Sequence, residues 1–368
     1  MLSKNELLYT LALQRVVNLG DISAKKLLLT IGSAEGIFKE KKRYLLKVEG
    51  VGAFKLKNLD AKIHLLEAEE EMKFMEENHI SFSYFLDEDY PNQLKNCIDG
   101  PILIFRKGNI QLQNKRIISI VGTRKITTYG KSFCENIIEE LSPLNPIIVS
   151  GYAYGVDIIA HKTAIKHGLQ TIACLAHGMN QTYPKIHSKY NEQIMGNGGF
   201  ITEFWSNDAF DRTNFLKRNR IIAGLSEATI VIESAEKGGS LVTADIANSY
   251  NREVFAIPGR ATDSQSQGCN NLIKTQQAHL VNSAADIIYH LGWQLKNEKP
   301  KTQQTTLFVE LTSEEKIIYN ILKQEGSDLL DAIAIKANMP TYKIATLLLN
   351  LELKGLVQPL PGKIFKLI

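Results

Sequence analysis

The stretch RIISIVGTR, residues 116–124, reads as a strand that ends in glycine and delivers an arginine at its tip, and Tyr129-Gly130 then lies in a following helical pattern. A strand-to-helix turn exposes backbone N–H groups at the positive end of the helix dipole, which suits an anion. Arg124 adds a planar fork of donors matched to phosphate. The stretch contains neither G-x-G-x-x-G nor G-x-x-x-x-G-K-[ST], so neither a dinucleotide nor a P-loop nucleotide is the expected ligand.

Outward from this strand, short β-branched runs alternate with helical stretches between residues 116 and 291. The strands are RIISIV (116–121), PIIVS (146–150), QTIACL (170–175), FITE (200–203), ATIVIE (228–233) and EVFAIP (253–258). Continuous apolar runs imply strands buried on both faces. The pattern therefore predicts an α/β fold with a Rossmann-like, doubly wound, mostly parallel sheet, whose ligands bind outside the carboxyl ends of the strands.

The rest of the chain divides around that core. Residues 1–80 read as a small helical N-terminal domain, from ELLYTLALQRVV and KIHLLEAEEEMKFMEEN. Within it Val48-Glu49-Gly50-Val51-Gly52, followed by a helical pattern, is either a helix-hairpin-helix turn presenting N–H groups to phosphate or a tight turn between helices that needs glycine. Residues 81–115 read as a connector into the Rossmann-like domain, which spans 81–293, and the polar stretch 294–311 reads as a linker. Residues 312–368 predict a winged-helix domain: the capping box Thr312-x-x-Glu315 opens the first of three helices, and Gly355 ends the last. A hairpin then turns at Pro361-Gly362. Its third helix, PTYKIATLLLNLELK, is rich in leucine and poor in arginine, which favours a protein-contact or structural role over reading duplex DNA as a transcription factor.

Composition sets further limits. The formal charge of +4 neither requires nor excludes a polyanionic partner, so any such site must come from local placement. Cys97, Cys134, Cys174 and Cys269 are widely spaced without C-x-x-C, which argues for buried thiols over a zinc site or disulfides. No long apolar run and no basic-then-apolar leader in MLSKNELLYT are present, which predicts a cytoplasmic protein without a membrane span.

Candidate functional residues collect at the strand ends. Ser150-Gly151 closes the second strand, with glycine allowing close approach of backbone and serine supplying a hydroxyl. Asp157 and His161 follow at helical spacing, as a helix cap or, with less support, a catalytic pair that lacks a nucleophile. Lys185 starts a helix after Tyr183-Pro184, where a cation opposes the dipole unless an anion is near; a solvated lysine is the simpler alternative. RTNFLKRNRIIAGLS, residues 212–226, interleaves Arg212, Lys217, Arg218 and Arg220 with Phe215, the combination by which single strands are held, cations on the backbone and a ring on an unpaired base. The same residues could instead be core and structural ion pairs. Lys237-Gly238-Gly239-Ser240 at a helix start has the features of an anion cradle. No H-E-x-x-H, carboxylate pair or G-x-S-x-G elbow is present, so no catalytic set, metal or cofactor is expected.

In order, SIVGTRKITTYG, IVSGYAYGVDIIAH, TIACLAHGMNQTYPKIH, RNRIIAGLS, EKGGSLVTA and REVFAIPG resemble the DprA/Smf family, the DNA-processing proteins of bacterial natural transformation, over residues from about 85 to 285. The resemblance implies a homodimer that binds and protects single-stranded DNA and loads the RecA recombinase onto it, without catalysis. It also implies a DNA pocket lined by Arg124, Lys185, Arg212, Asn214, Phe215, Lys237, Gly239 and Ser240, to which the strand-end pattern adds Gly122, Ser150, Gly151, Arg218 and Asn219 as expected DNA-binding residues. The chain departs from the family pattern at Ala176, Asn180, His187 and Leu216. The alternative from the enzyme class is a Rossmann-like phosphoribohydrolase that processes nucleotides, with Glu233 as the one carboxylate placed to act as its base.

Overall fold

The computed structural model describes residues 2–293, 311–360 and 363–367. By packing, the chain forms two units, Met1–Lys296 and Asn297–Ile368.

The first unit is built on a nine-stranded sheet. Its strands are β1 Ser81–Tyr84, β2 Leu103–Gly108, β3 Ile117–Val121, β4 Ile147–Ser150, β5 Thr171–Cys174, β6 Gly198–Thr202, β7 Ala228–Val231, β8 Glu253–Ala256 and β9 His279–Leu280. They lie in the order β1-β2-β6-β5-β4-β3-β7-β8-β9, parallel from β6 to β9, with β1 and β2 joining antiparallel at one edge. This is the doubly wound, mostly parallel sheet expected. From β3 the chain winds outward through β4, β5 and β6, then returns to place β7 on the other side of β3, so the switch in direction falls between β3 and β7.

Burial on both faces explains why β3 is apolar at successive positions. Ile118 and Ile120 pack with Cys134, Ile137 and Ile138 on one side, whereas Ile117 and Val121 pack with Ile221 and Ile222 on the other. The strand alternates between two cores, and each demands apolar side chains.

The segment 81–115, read from sequence as a connector, carries β1 and β2 and extends the sheet. Tertiary pairing with β6, not local pattern, makes β2 a strand. β6 also begins earlier than FITE, at Gly198-Gly199. A Cβ at Gly198 would strike the Thr171 carbonyl and one at Gly199 the Lys107 carbonyl, so glycine is needed where three backbones crowd.

The N-terminal helices Lys4–Arg15, Asp21–Ile31, Ala34–Lys39, Lys42–Leu45 and Ala61–Glu77 share one apolar core with the sheet, in which Leu11, Leu27 and Leu28 join Ile104, Val121 and Ile221. Polar ties fix this layer. Trp205 Nε1 donates to Gln14 Oε1 at 3.1 Å, the Arg15 guanidinium lies 4.2 Å from the Trp205 ring centre, and the Ser206 N–H donates to the buried Glu71 carboxylate. After Val48–Gly52, where Gly50 has φ 79°, the chain continues in turns, and the next helix starts only at Ala61. The helical pattern expected directly after Gly52 is not formed.

The second unit has its own core of Ile318, Leu322, Ile333, Ile344, Leu348 and Leu351. Its helices are Ser313–Glu325, Leu330–Ala337 and Thr341–Leu353, and its small sheet runs β10 (Ser327–Leu329), β12 (Ile364–Leu367), β11 (Val357–Leu360). Helices and sheet make the winged-helix form expected. The Thr312/Glu315 capping box is present, and Gly355 takes φ 71° just past the last helix. The strand β10 was not legible in the sequence. Apart from Leu311, the linker 294–311 lies outside the described residues, as does the turn Pro361-Gly362.

All four cysteines are free and buried. Among the described residues, no group of three His, Cys, Asp or Glu side chains is placed to hold a metal ion, and no helix is long and apolar enough to cross a membrane.

Candidate functional site

The carboxyl ends of β3 and β7 open into a cavity of about 530 Å³, at the switch in strand order where such sheets bind ligands. Its walls come from the turn after β3, the helix Val156–Lys166, the helix Thr213–Leu225 and the start of the helix Gly239–Ser249.

The turn after β3 is shaped by glycine and by a carboxylate from inside the protein. A Cβ at Gly122 would collide with the Val156 side chain and the Glu233 carbonyl, so glycine lets the end of β3 lie against the start of the helix Val156–Lys166. Glu233, 1 % exposed, accepts from the Thr127 backbone N–H at 2.8 Å and from the Thr127 hydroxyl. The anion at the N-terminus of the helix Thr128–Leu141, which follows β3 and has Thr127 as its cap, is therefore the protein's own. The turn offers its arginine outward instead: Arg124 is exposed, with its guanidinium 5.2 Å from the Phe215 ring centre.

Phe215 belongs to an aromatic cluster. Tyr183, Phe210 and Phe215 meet at centroid separations of 4.9, 5.8 and 5.8 Å, all three on the cavity wall. Tyr183 and Phe210, 38 % and 45 % exposed, are the aromatic wall residues missed in the sequence. The signal available for Phe210 was its spacing from Phe215 across DAFDRTNF, and for Tyr183 its place before Pro184.

The helix Thr213–Leu225 turns one face inward, with Phe215, Leu216, Asn219 and Ile222 following Arg212 at helical spacing. Arg212 is exposed; Arg218 is 4 % exposed and bonds the carbonyls of Gly151 and Cys174. Burial lowers the Arg218 pKa, against the pull of Asp157, and raises that of Asp157, against the pull of Arg218. Asp157 also accepts from the Ala153 N–H at 3.2 Å and supplies the carboxylate of the cavity wall. It does not pair with His161, whose Nδ1 lies 2.7 Å from the Thr171 hydroxyl.

Opposite, Gly238, Gly239 and Ser240 open the helix Gly239–Ser249 toward the cavity with no side-chain cap on its N-terminus, so the positive end of its dipole faces the space. The Ser240 hydroxyl donates to Ser234 Oγ at 3.0 Å, and Asn219 Nδ2 to the Gly239 carbonyl at 3.4 Å.

Of the residues expected in a pocket, Gly122, Arg124, Arg212 and Phe215 are thus brought together on its wall with Arg218, Asn219, Gly239 and Ser240. The others lie behind or beside it. The Ser150 hydroxyl is fully buried and donates to the Ile120 carbonyl at 2.6 Å, so it is not offered to a ligand. Gly151 sits under the Arg218 guanidinium, where a Cβ would clash, and Asn214 is 7 % exposed with its N–H on the Asp211 carbonyl. Lys185 and Lys237 are exposed but do not line the cavity; each lies two residues or fewer from one that does. At the departures from the family pattern, His187 Nδ1 lies 3.1 Å from the Tyr152 carbonyl and Leu216 is exposed on the cavity wall.

Three comparisons bear on this geometry. A family model described as DNA recombination-mediator protein A matches residues 81–292, and one described as the DprA winged helix domain matches residues 301–363. DNA processing protein DprA of Streptococcus pneumoniae is 38 % identical over 56 % of this chain and 73 % of its own, and Protein Smf of Escherichia coli is 33 % identical over 75 % and 74 %. Among solved structures, the S. pneumoniae protein covers 78 % of this chain and 98 % of its own at TM-score 0.64 and 30 % identity. A structure of DNA processing protein A from Helicobacter pylori, described for its single-stranded DNA binding mode, covers 58 % and 97 % at TM-score 0.52 and 29 % identity.

Proposed function

Because the chain belongs to the DNA recombination-mediator protein A family, we propose that it is a single-stranded DNA-binding mediator that protects incoming DNA and loads RecA onto it in natural transformation. In this reading it acts in the cytoplasm as a homodimer and catalyses nothing. The observation that carries it is the pairing of unneutralised cations with a bare aromatic cluster: Arg124 and Arg212 beside Tyr183, Phe210 and Phe215. Arginines neutralise consecutive phosphates while rings stack on unpaired bases, which leaves sequence unread. Gly239 and Ser240 give a helix N-terminus to one phosphate, and Lys185 and Lys237 meet the strand as it leaves. Gly122, Ser150, Gly151, Asn214, Arg218 and Asn219 serve the site by holding its walls. The Rossmann-like domain is assigned the DNA, and the winged helix a protein contact: its third helix exposes Tyr342, Leu349 and Leu353, while its Lys343 is held by Glu314.

The hydrolase alternative needs a free base, and Glu233 has both carboxylate oxygens engaged on Thr127. The test is fluorescence anisotropy with labelled oligonucleotides. Single strands should bind more tightly than duplexes, and Arg124→Ala should lose about tenfold or more in affinity and flatten the slope of log K against log salt by about 0.7. Equal binding of single strands and duplexes, or an unaffected Arg124→Ala, sinks the proposal.

A further inference from the structure

The helix that walls the cavity with Leu216 places the exposed Lys217 one residue on, beside a depression shared with Ser23 and Lys55 of the N-terminal layer. The carboxylates of that depression are already engaged. Asp21 accepts from Arg220 and from the Ile102 N–H, and Asp99 from the Tyr250 hydroxyl. Lys55 is fixed, its ammonium 2.7 Å from Ser23 Oγ and 2.8 Å from the Gly50 carbonyl. Immediately beyond it, Phe54 and Lys57 line a second open depression with Lys42 and Leu46.

This second depression has the chemistry of the cavity without its depth. Phe54 is 69 % exposed, and Tyr44 beside the same segment is exposed with Arg43 and Lys47 at 4.8 and 5.3 Å from its ring centre. Residues 41–57 carry six basic side chains, Lys41, Lys42, Arg43, Lys47, Lys55 and Lys57, against one acidic, Glu49. Among the described residues no ion pair holds Lys42 or Lys57. A large exposed ring set among unneutralised lysines is a poor surface to leave in water but a good one for a nucleic-acid strand.

We infer that the single strand bound in the cavity leaves it over Lys217 and lies across Lys42, Phe54 and Lys57, so that the N-terminal helical layer is a second, sequence-neutral part of the DNA surface. The inference rests on the single-strand reading of the cavity. Lys42 and Lys57 neutralise phosphates, Phe54 stacks on a base, and Lys55 holds the turn that presents them.

The experiment uses the full chain and the triple variant Lys42→Glu, Phe54→Ala, Lys57→Glu, with labelled oligothymidylates of about 6 nucleotides, within the span of a single compact site, and about 25, well beyond it. The variant should bind the short probe as the unaltered protein does, which also reports an intact fold. It should lose about tenfold on the long probe, with a salt slope shallower by about 1.4, the share of two phosphates. An unchanged long-probe affinity, or an equal loss on both probes, overturns the inference. So does a loss confined to duplex DNA, which would make the patch a duplex site. Failure of the cavity reading shows differently, as an unaltered protein that does not hold the short probe or is indifferent to Arg124→Ala, and overturns both.

Discussion

On the cavity side of the helix Thr213–Leu225, Arg212 and the facing Arg124 form no ion pair among the described residues, whereas on its other side Arg220 is enclosed by Asp21, Glu203 and the carbonyl of Asp99. The same side-chain type, at the N-cap of the helix and eight residues further along it, serves opposite ends. An arginine whose charge is answered from within holds two layers of the fold together; one left unanswered beside bare aromatic rings is available to a ligand that brings its own charge.

The comparison breaks or holds first at Arg220. Its side chain and that of Glu203 are each 14 % exposed, and its partners join the N-terminal layer to the sheet domain. Arg220→Ala leaves the partly buried Asp21 and Glu203 without their cation and should cost about 3 kcal/mol of stability, read as a lower midpoint in urea. Single-strand affinity of the folded protein should be unchanged. Arg124→Ala should do the reverse, losing affinity at a constant midpoint. If either variant moves both readouts alike, the division between structural and ligand-facing arginines fails.

Much of this was legible and the division was not. The strands β3 to β8 could be read because burial on both faces forces runs such as RIISIV, whatever the neighbours. β2 and the Gly198-Gly199 start of β6 could not, since pairing and backbone crowding, not local pattern, make them strands. In RTNFLKRNR, Arg212, Phe215 and Arg218 fall on the cavity wall while Lys217 and Arg220 do not, and nothing local said that Arg218 would be spent on the carbonyls of Gly151 and Cys174, or Arg220 on Asp21, which lies 199 residues away. Phe210 and Tyr183 were missed for the same reason: the cluster assembles from two separate loops.

His161 tests the interior beneath the cavity, where a polar group is neither answered by charge nor open to water. Burial holds its imidazole down at about 3, with His187 and Arg218 acting in the same direction. A group depressed in the folded state contributes stability that is present above its unfolded value near 6.5 and is lost as pH falls toward 3. Between pH 6.5 and 5 the loss should be about 2 kcal/mol. His161→Gln should remove that part of the pH dependence in denaturation midpoints, with binding at pH 7.5 unaffected. A variant whose midpoint keeps the full slope assigns the acid sensitivity elsewhere.

The smallest effect separates ring from charge within the cavity itself. Phe210 packs on Tyr183 and Phe215 but, at 45 % exposure, supports no core, so Phe210→Ala should leave stability nearly constant. Loss of one stacking face should weaken single-strand binding by about 1 kcal/mol, roughly fivefold. Stacking releases no counterions, so the loss should be the same at low and high salt and the salt slope unchanged. Arg212→Ala, by contrast, should flatten the slope by about 0.7 and lose its effect as salt rises. Should Phe210→Ala flatten the slope as Arg212→Ala does, the ring is positioning a cation and not carrying a base, and the cavity wall acts through charge alone.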